Sequence, residues 1–327
     1  RGGKRGITHY APPWEHGFER CFSTEAKVPT YDPMKTPPPW SGGTGNKKPG
    51  SPYGTAYWDE SGQRITDNLS GDDSKIIMDR AIPFIESAAA TKQPFFTVIW
   101  FHAPHLPVFA GPKHLAPYAS VQQQKHRHYY GCITALDEQV GRLRNHLRQL
   151  GVADNTMLWY CSDNGPEGRN KKSPGSALDL RGRKRSLFDG GVRVPAFLEW
   201  PAQFKQPKTI TAPCVTSDYL PTILAVLELS SDPRPLDGIN LMPLLTGQTQ
   251  TREQGIGFQS NKQASWVEDR YKLVIQQKRV MLFDFATDAK ESRDISETSP
   301  KITARLLQSL QAWRASCSQS AAGADYK

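Results

Sequence analysis

The chain changes rhythm twice. Over 1–64 no hydrophobic period lasts more than a few residues, because Pro12-Pro13, Pro37-Pro38-Pro39 and Ser41-Gly42-Gly43-Thr44-Gly45 interrupt it. Pro and Gly at that density exclude long helices and predict an extended, surface-wrapping segment. Its apolar residues, Trp14, Phe18, Phe22, Trp40, Tyr53, Tyr57 and Trp58, predict that it packs on a body. From Ser70 a helical period sets in. Asp72 or Asp73 can cap a helix through Ile76, Ile77, Ala81, Phe84 and Ile85. A strand is predicted over 95–101, then a helix over roughly 121–150. Its buried face is Ile133, Leu136, Val140, Leu143, Leu147 and Leu150, and Gly151 stands at C′. A strand over 156–161 follows. This helix–strand–helix–strand order predicts a parallel sheet covered by helices. Another strand is expected over 194–200, a helix capped by Ser217 or Asp218 through Leu227, and a Gly/Pro-bounded link over 237–247.

After about residue 250 the period shortens. Strands over 264–267, 271–276 and 280–285, joined by tight turns, precede a helix over 299–313. The expected organisation is a main α/β domain over 1–250 and a small subdomain over 251–327, an antiparallel sheet with one helix. There is no internal repeat.

Composition narrows the class. A chain of 327 residues is long enough for a large core. Gly and Pro, 26 each, predict many ordered loops of the kind that build a site. No apolar run approaches the ~20 residues of a membrane span. No secretory leader is visible, and a first residue of Arg1 rather than Met reads as a processed or truncated start. The net charge of +9 is most concentrated between Arg169 and Arg185, where Lys171, Lys172, Arg181, Arg183 and Lys184 face one acid, Asp179. That run lacks the aromatic interleaving of a single-strand groove, so an anionic small molecule or polysaccharide is favoured over nucleic acid. Cys21, Cys132, Cys161, Cys214 and Cys317 form no C-x-x-C pair, which argues against a zinc ribbon or a dense disulfide scaffold. Cys132 and Cys161 read as core thiols.

Three segments carry candidate chemistry. Asp163-Asn164-Gly165 follows the apolar run Thr156-Met157-Leu158-Trp159-Tyr160-Cys161. Alone it would read as a tight turn. At the end of a buried strand, a carboxylate and an amide carbonyl side by side suit Ca²⁺ or Mg²⁺. His105 lies in His102-Ala103-Pro104-His105-Leu106-Pro107, after the strand over 95–101. The bland reading is a hydrogen-bonded structural histidine. Pro104 and Pro107 restrict its backbone, and a held imidazole suits an anionic oxygen or proton transfer. His102 is the alternative, and no third ligand nearby supports zinc. Lys184 precedes Asp189-Gly190-Gly191-Val192-Arg193-Val194-Pro195. Its bland reading is a solvated charge. A Gly-Gly turn feeding a strand would fold the preceding loop over the strand ends, where one lysine can clamp an anion.

In this order the segments resemble the formylglycine-dependent sulfatases, of alkaline-phosphatase-like fold. Tyr10-Ala11-Pro12-Pro13-Trp14-Glu15-His16-Gly17-Phe18, Asp79-Arg80-Ala81-Ile82-Pro83-Phe84-Ile85, His102 to Pro107, Leu136-Asp137-Glu138-Gln139-Val140-Gly141, Ser162 to Gly165, Lys184 to Pro195 and Leu282-Phe283-Asp284-Phe285 with Glu291 carry the likeness along most of the chain. The resemblance implies a mostly parallel sheet covered by helices and a sulfuric ester hydrolase with one Ca²⁺, or Mg²⁺. It implies Asp163 and Asn164 as metal ligands, and His105 and Lys184 as sulfate-contacting residues with catalytic roles. It implies a sulfated small molecule or polysaccharide as partner, and a secreted, periplasmic or lysosomal setting.

The chain also departs from that pattern. The formylglycine of the family arises from Cys or Ser in C/S-x-P-x-R, and no such site occurs here; Ser231-Asp232-Pro233-Arg234 is a near miss. The paired aspartates that complete the family's metal shell are absent too. The chain reads as the C-terminal portion of a sulfatase, expected to be inactive alone and to lack one edge of the sheet. A phosphoric or phosphonic ester hydrolase of the same superfamily, a non-catalytic binder of sulfated glycans through 169–185, and an inert fragment are the competing readings.

Overall fold

A computed structural model describes residues 11–168, 173–230 and 234–326. The described residues form two compact units: 11–158 with 173–175 and 198–204, and 159–168 with 176–197, 205–230 and 234–326.

In the first unit, β1 (Ser23–Thr24), β2 (Tyr57–Trp58) and β3 (Arg64–Ile65) form a small antiparallel sheet within the loop-rich N-terminal region. Helix α1 (Asp73–Ala90) starts where Asp72 accepts the Lys75 N–H at 3.0 Å. A short α2 (Pro112–Leu115) and the long α3 (Gln124–Gln149) follow. α3 ends before Gly151, whose φ of +70° is the left-handed conformation of a C′ glycine. Met78, Ile82 and Ile85 of α1 meet Leu143 and Leu147 of α3 in one apolar cluster. Leu136, Leu143 and Leu147 of the expected face of α3 are buried, and Val140 and Leu150 are half-buried. Ile133 is exposed, and Cys132, Ala135 and Gln139 are buried instead. Burial pushes the Cys132 thiol up to about 12, so the expected inert core thiol is found there.

The segment over 95–101 departs from the prediction. It alternates as a strand does: Phe95, Ile99 and Phe101 pack on the α1–α3 cluster, while Phe96, Val98 and Trp100 are 65%, 42% and 84% exposed. Yet it joins no sheet among the described residues. The side-chain pattern of a strand is present without a ladder to complete it.

β4 (Leu158–Cys161) comes next, then the single turn α4 (Asp189–Val192) and β5 (Ala196–Glu199), which pairs with β4. Both strands are shorter than expected. In the second unit α5 (Tyr219–Val226) and α6 (Met242–Thr246) precede β6 (Ile256–Ser260), β7 (Gln263–Glu268), β8 (Tyr271–Gln276) and β9 (Arg279–Asp284). These four strands form an antiparallel meander, with Ile256 opposite Val267, Trp266 opposite Leu273 and Leu273 opposite Leu282. β6 is a strand the sequence reading missed. α7 (Pro300–Ala321) runs eight residues past its expected end and lays Leu306 and Leu310 on Ala264, Trp266, Leu273 and Leu282. Among the described residues no helix is long and apolar enough to cross a membrane.

Two buried groups of ion-paired residues organise this unit. Arg252 holds Asp218 through two hydrogen bonds of 2.8 and 2.9 Å, and Asp218 also accepts the N–H groups of Val215 and Ile239. Lys272, wholly buried on β8, donates to Asp189 at 2.6 Å and lies 2.9 Å from Glu291. Burial raises the Glu291 carboxyl even beside that ammonium group.

Replacing Lys272 by Met leaves two carboxylates facing each other in the interior. The expected loss is about 3–5 kcal/mol in denaturant unfolding, shrinking at acid pH as Glu291 takes a proton. An unchanged midpoint would contradict the role given to this lysine. His128 supplies a second test. It is buried against Phe109 and Trp40, and its Nδ1 accepts the Ala110 N–H at 3.1 Å. Burial, with the Arg127 charge second, brings its imidazole down to about 4. The unfolded chain therefore takes up this proton near 6.5 and the folded chain only near 4. The contribution of His128 is full above pH 6.5 and is lost as pH falls toward 4. Stability profiles of wild type and H128Q should converge over that window, and parallel profiles would exclude the assignment.

Candidate functional site

β4 delivers the chain to Ser162-Asp163-Asn164-Gly165, as the sequence predicts. Ser162 N–H donates to the Pro195 carbonyl at 3.1 Å, ahead of β5. The turn is locked to α4. Gly165 N–H donates to the Gly191 carbonyl at 2.9 Å, and a Cβ on Gly165 would fall 1.9 Å from the Gly190 oxygen. Gly190 in turn is pressed against the Gly182 carbonyl, which a Cβ would meet at 2.2 Å. No residue larger than glycine fits either place without moving backbone.

This packing brings the lysine segment to the carboxylate segment. Lys184 N–H donates to the Pro166 carbonyl at 3.2 Å, and the Arg183 guanidinium donates to the Glu167 carbonyl at 3.0 Å. Arg185 pairs with Glu167 at 2.7 Å and holds that carboxyl below its usual range. Arg181 lies over the Phe188 ring and donates to the Glu291 carbonyl at 2.9 Å. Three arginines of the basic run are thus engaged within the fold, which weakens the reading of 169–185 as an open polyanion-binding loop. Arg169, Lys171 and Lys172 lie outside the described residues.

Asp163 is exposed and Asn164 half-buried, and the Asn164 amide nitrogen donates to the Asp163 carboxylate. A carboxylate and an amide oxygen fit a hard cation in kind. In number they supply only part of the six to eight oxygens that Ca²⁺ takes. Among the described residues no group of three or more His, Cys, Asp or Glu is placed to hold a metal.

In the first unit, His105 is exposed on the turn that follows the extended segment. Its Nδ1 donates to the Leu106 carbonyl at 2.7 Å, and its backbone N–H donates to the His102 carbonyl at 2.7 Å. A carbonyl can only accept, so Nδ1 carries a hydrogen. His102 is held differently. Its Nδ1 lies 2.8 Å from Asp73 Oδ2, and its Nε2 lies 3.0 Å from Thr24 Oγ1. Tyr57 donates its hydroxyl to the other oxygen of Asp73. Burial, and then the Asp73 charge, push the Tyr57 phenol far up, which keeps it a donor. The sequence marks Asp73 only as a possible cap and Tyr57 only as an apolar packing residue, and it gives Thr24 no role. These partners stand 16 to 78 residues apart. The one available signal was a second aspartate behind the cap.

A sulfatase family model matches residues 8–229. The chain is 29% identical to arylsulfatase G of Rattus norvegicus over 269 residues, covering 72% of this chain and 49% of that protein. It is 32% identical to steryl-sulfatase of Mus musculus over 203 residues, covering 60% and 31%. It therefore spans about half the length, or less, of these curated relatives. Among solved structures, Ps i-CgsB superposes with a TM-score of 0.80 at 22% identity, over 92% of this chain and 67% of that one. One structure of Ps i-CgsB is a complex with k-i-k-neocarrahexaose. At that identity the likeness carries the fold, the alkaline-phosphatase-like α/β fold of sulfatases with a small antiparallel sheet at the C-terminal end. With more than half of its length matched by the family model, the chain belongs to the sulfatase family.

Proposed function

We propose that this chain is the sulfate-binding part of a sulfuric ester hydrolase. The observation that carries the proposal is the interlocking of Asp163-Asn164-Gly165 with the loop of Lys184, inside the region matched as a sulfatase. Lys184 acts as a point charge on the anionic sulfate. His105 contacts sulfate and takes part in proton transfer, its ring held by the Nδ1–H to Leu106 carbonyl bond. Asp163 and Asn164 hold Ca²⁺, or Mg²⁺. When bound, that ion supplies charge neutralisation on the sulfuryl oxygens. The substrate class is a sulfated carbohydrate, a reading supported by the oligosaccharide bound to Ps i-CgsB. The meander and α7 share one apolar core, so the subdomain read over 251–327 stands as a part of the second unit rather than apart from it. A secreted, periplasmic or lysosomal setting follows from the family alone.

The 327-residue chain has no C/S-x-P-x-R sequence from which formylglycine could form. It is expected to bind sulfate esters without turning them over. A 4-nitrocatechol sulfate assay of the purified chain should stay at the buffer rate, and turnover at the rate of a complete arylsulfatase would sink this expectation.

Binding tests the site itself. In calorimetry with 4-nitrocatechol sulfate and Ca²⁺, K184A should weaken binding about tenfold or more, the loss of one charge-assisted contact. With two donor residues the Ca²⁺ Kd should be about 10⁻³ M or weaker, and D163A should abolish it. Equal affinity of wild type and K184A would remove Lys184 from the sulfate site.

A further inference from the structure

We propose that Asp73 is a positioning residue, which through the imidazole of His102 fixes the turn that presents His105. The inference rests on the reading of His105 as a sulfate-contacting residue.

Asp73 is wholly buried and stands in the first turn of the eighteen-residue α1. A carboxylate without water is tolerated only when its oxygens are matched. Here Tyr57 matches one oxygen and His102 the other, and the helix N-terminus adds its favourable dipole. The Asp73 N–H donates to the Thr30 carbonyl at 3.1 Å, so the residue is held at backbone and side chain alike. A carboxylate accepts only, so His102 presents Nδ1–H to Asp73, and the neutral ring then receives the Thr24 hydroxyl at Nε2. One tautomer and one ring orientation follow.

The consequence passes to His105 through the main chain. The carbonyl of His102 is the acceptor for the His105 N–H. The far side of the turn is tied separately: Thr30 N–H donates to the Pro107 carbonyl at 3.2 Å, and Val108 N–H to the Ser41 carbonyl at 3.1 Å. The entry to the turn is therefore tied through the His102 ring and the exit through backbone. His105 stands between the two anchors. A purely architectural role would ask only that the carboxylate be matched. Positioning adds that His105 moves when the ring of His102 is released.

The test uses the whole chain labelled with ¹⁵N-histidine, and inorganic sulfate as probe at constant ionic strength. H102L removes both ring contacts at a side chain that is 19% exposed. H102N keeps a donor at the place of Nδ1 and should restore the Asp73 contact. D73N offers an amide that donates to Nδ1 and should turn His102 to its other tautomer. In H102L and D73N the His105 ring resonances should shift and its sulfate Kd should rise about tenfold or more, while H102N stays within about twofold of wild type. A folded H102L with wild-type His105 resonances and wild-type sulfate affinity would overturn the proposal. So would H102N failing as badly as H102L. Should D73N not fold, the two His102 variants decide alone. If sulfate leaves His105 of the wild type unmoved, the sulfate reading of His105 fails, and the resonance shifts of the variants still decide the positioning.

Discussion

A carboxylate taken out of water has to be met by donors, and each unit of this chain is arranged around that requirement. In the second unit Asp189 and Glu291 are buried and Lys272 lies between them. Asp189 opens α4, whose Gly190 and Gly191 grip the Asp163-Asn164-Gly165 turn. In the first unit Asp73 is buried, and Tyr57 and His102 meet it at the base of the His105 turn. The charge cost of burial becomes a constraint on geometry, because an unmatched partner would leave a penalty of several kcal/mol. Loops rich in Gly and Pro are thereby held without regular secondary structure of their own.

Glycine makes the second contribution. The contact between the 163–166 turn and α4 is backbone against backbone, at separations a Cβ would forbid. Hydrogen bonds such as Gly165 to Gly191 and Lys184 to Pro166 then replace the ladder that ends with β4. Main-chain groups buried at the end of a strand need partners as much as those within it. This interlocking positions the candidate lysine near the candidate metal ligands more firmly than side-chain packing would, since the backbone has fewer ways to relax.

The segment over 95–101 shows the opposite situation. Its inward residues Phe95, Ile99 and Phe101 find an apolar cluster, and its outward residues Phe96, Val98 and Trp100 do not. Side-chain alternation needs only a surface to pack on. A strand also needs a neighbour for its N–H and C=O groups, and none of the described strands takes that place.

The sequence by itself determined the elements with a strong period and clear punctuation. α1 with its Asp72 cap, α3 with Gly151, the last three strands of the meander and α7 are legible because side-chain spacing and terminal chemistry are local properties. It also carried the ordered signatures that mark a sulfatase, and His105, Lys184, Asp163 and Asn164 as candidates. Tertiary structure alone decided which neighbours those residues have. The exposure of Ile133 and the burial of Gln139 on α3 depend on what packs against the helix. So does the turning inward of Asp73 beside its capping neighbour, and the capture of Arg181, Arg183 and Arg185 by partners within the fold. Contacts between residues tens of positions apart leave no periodic trace in the chain. They arise from the need to satisfy each buried polar group in one packed arrangement.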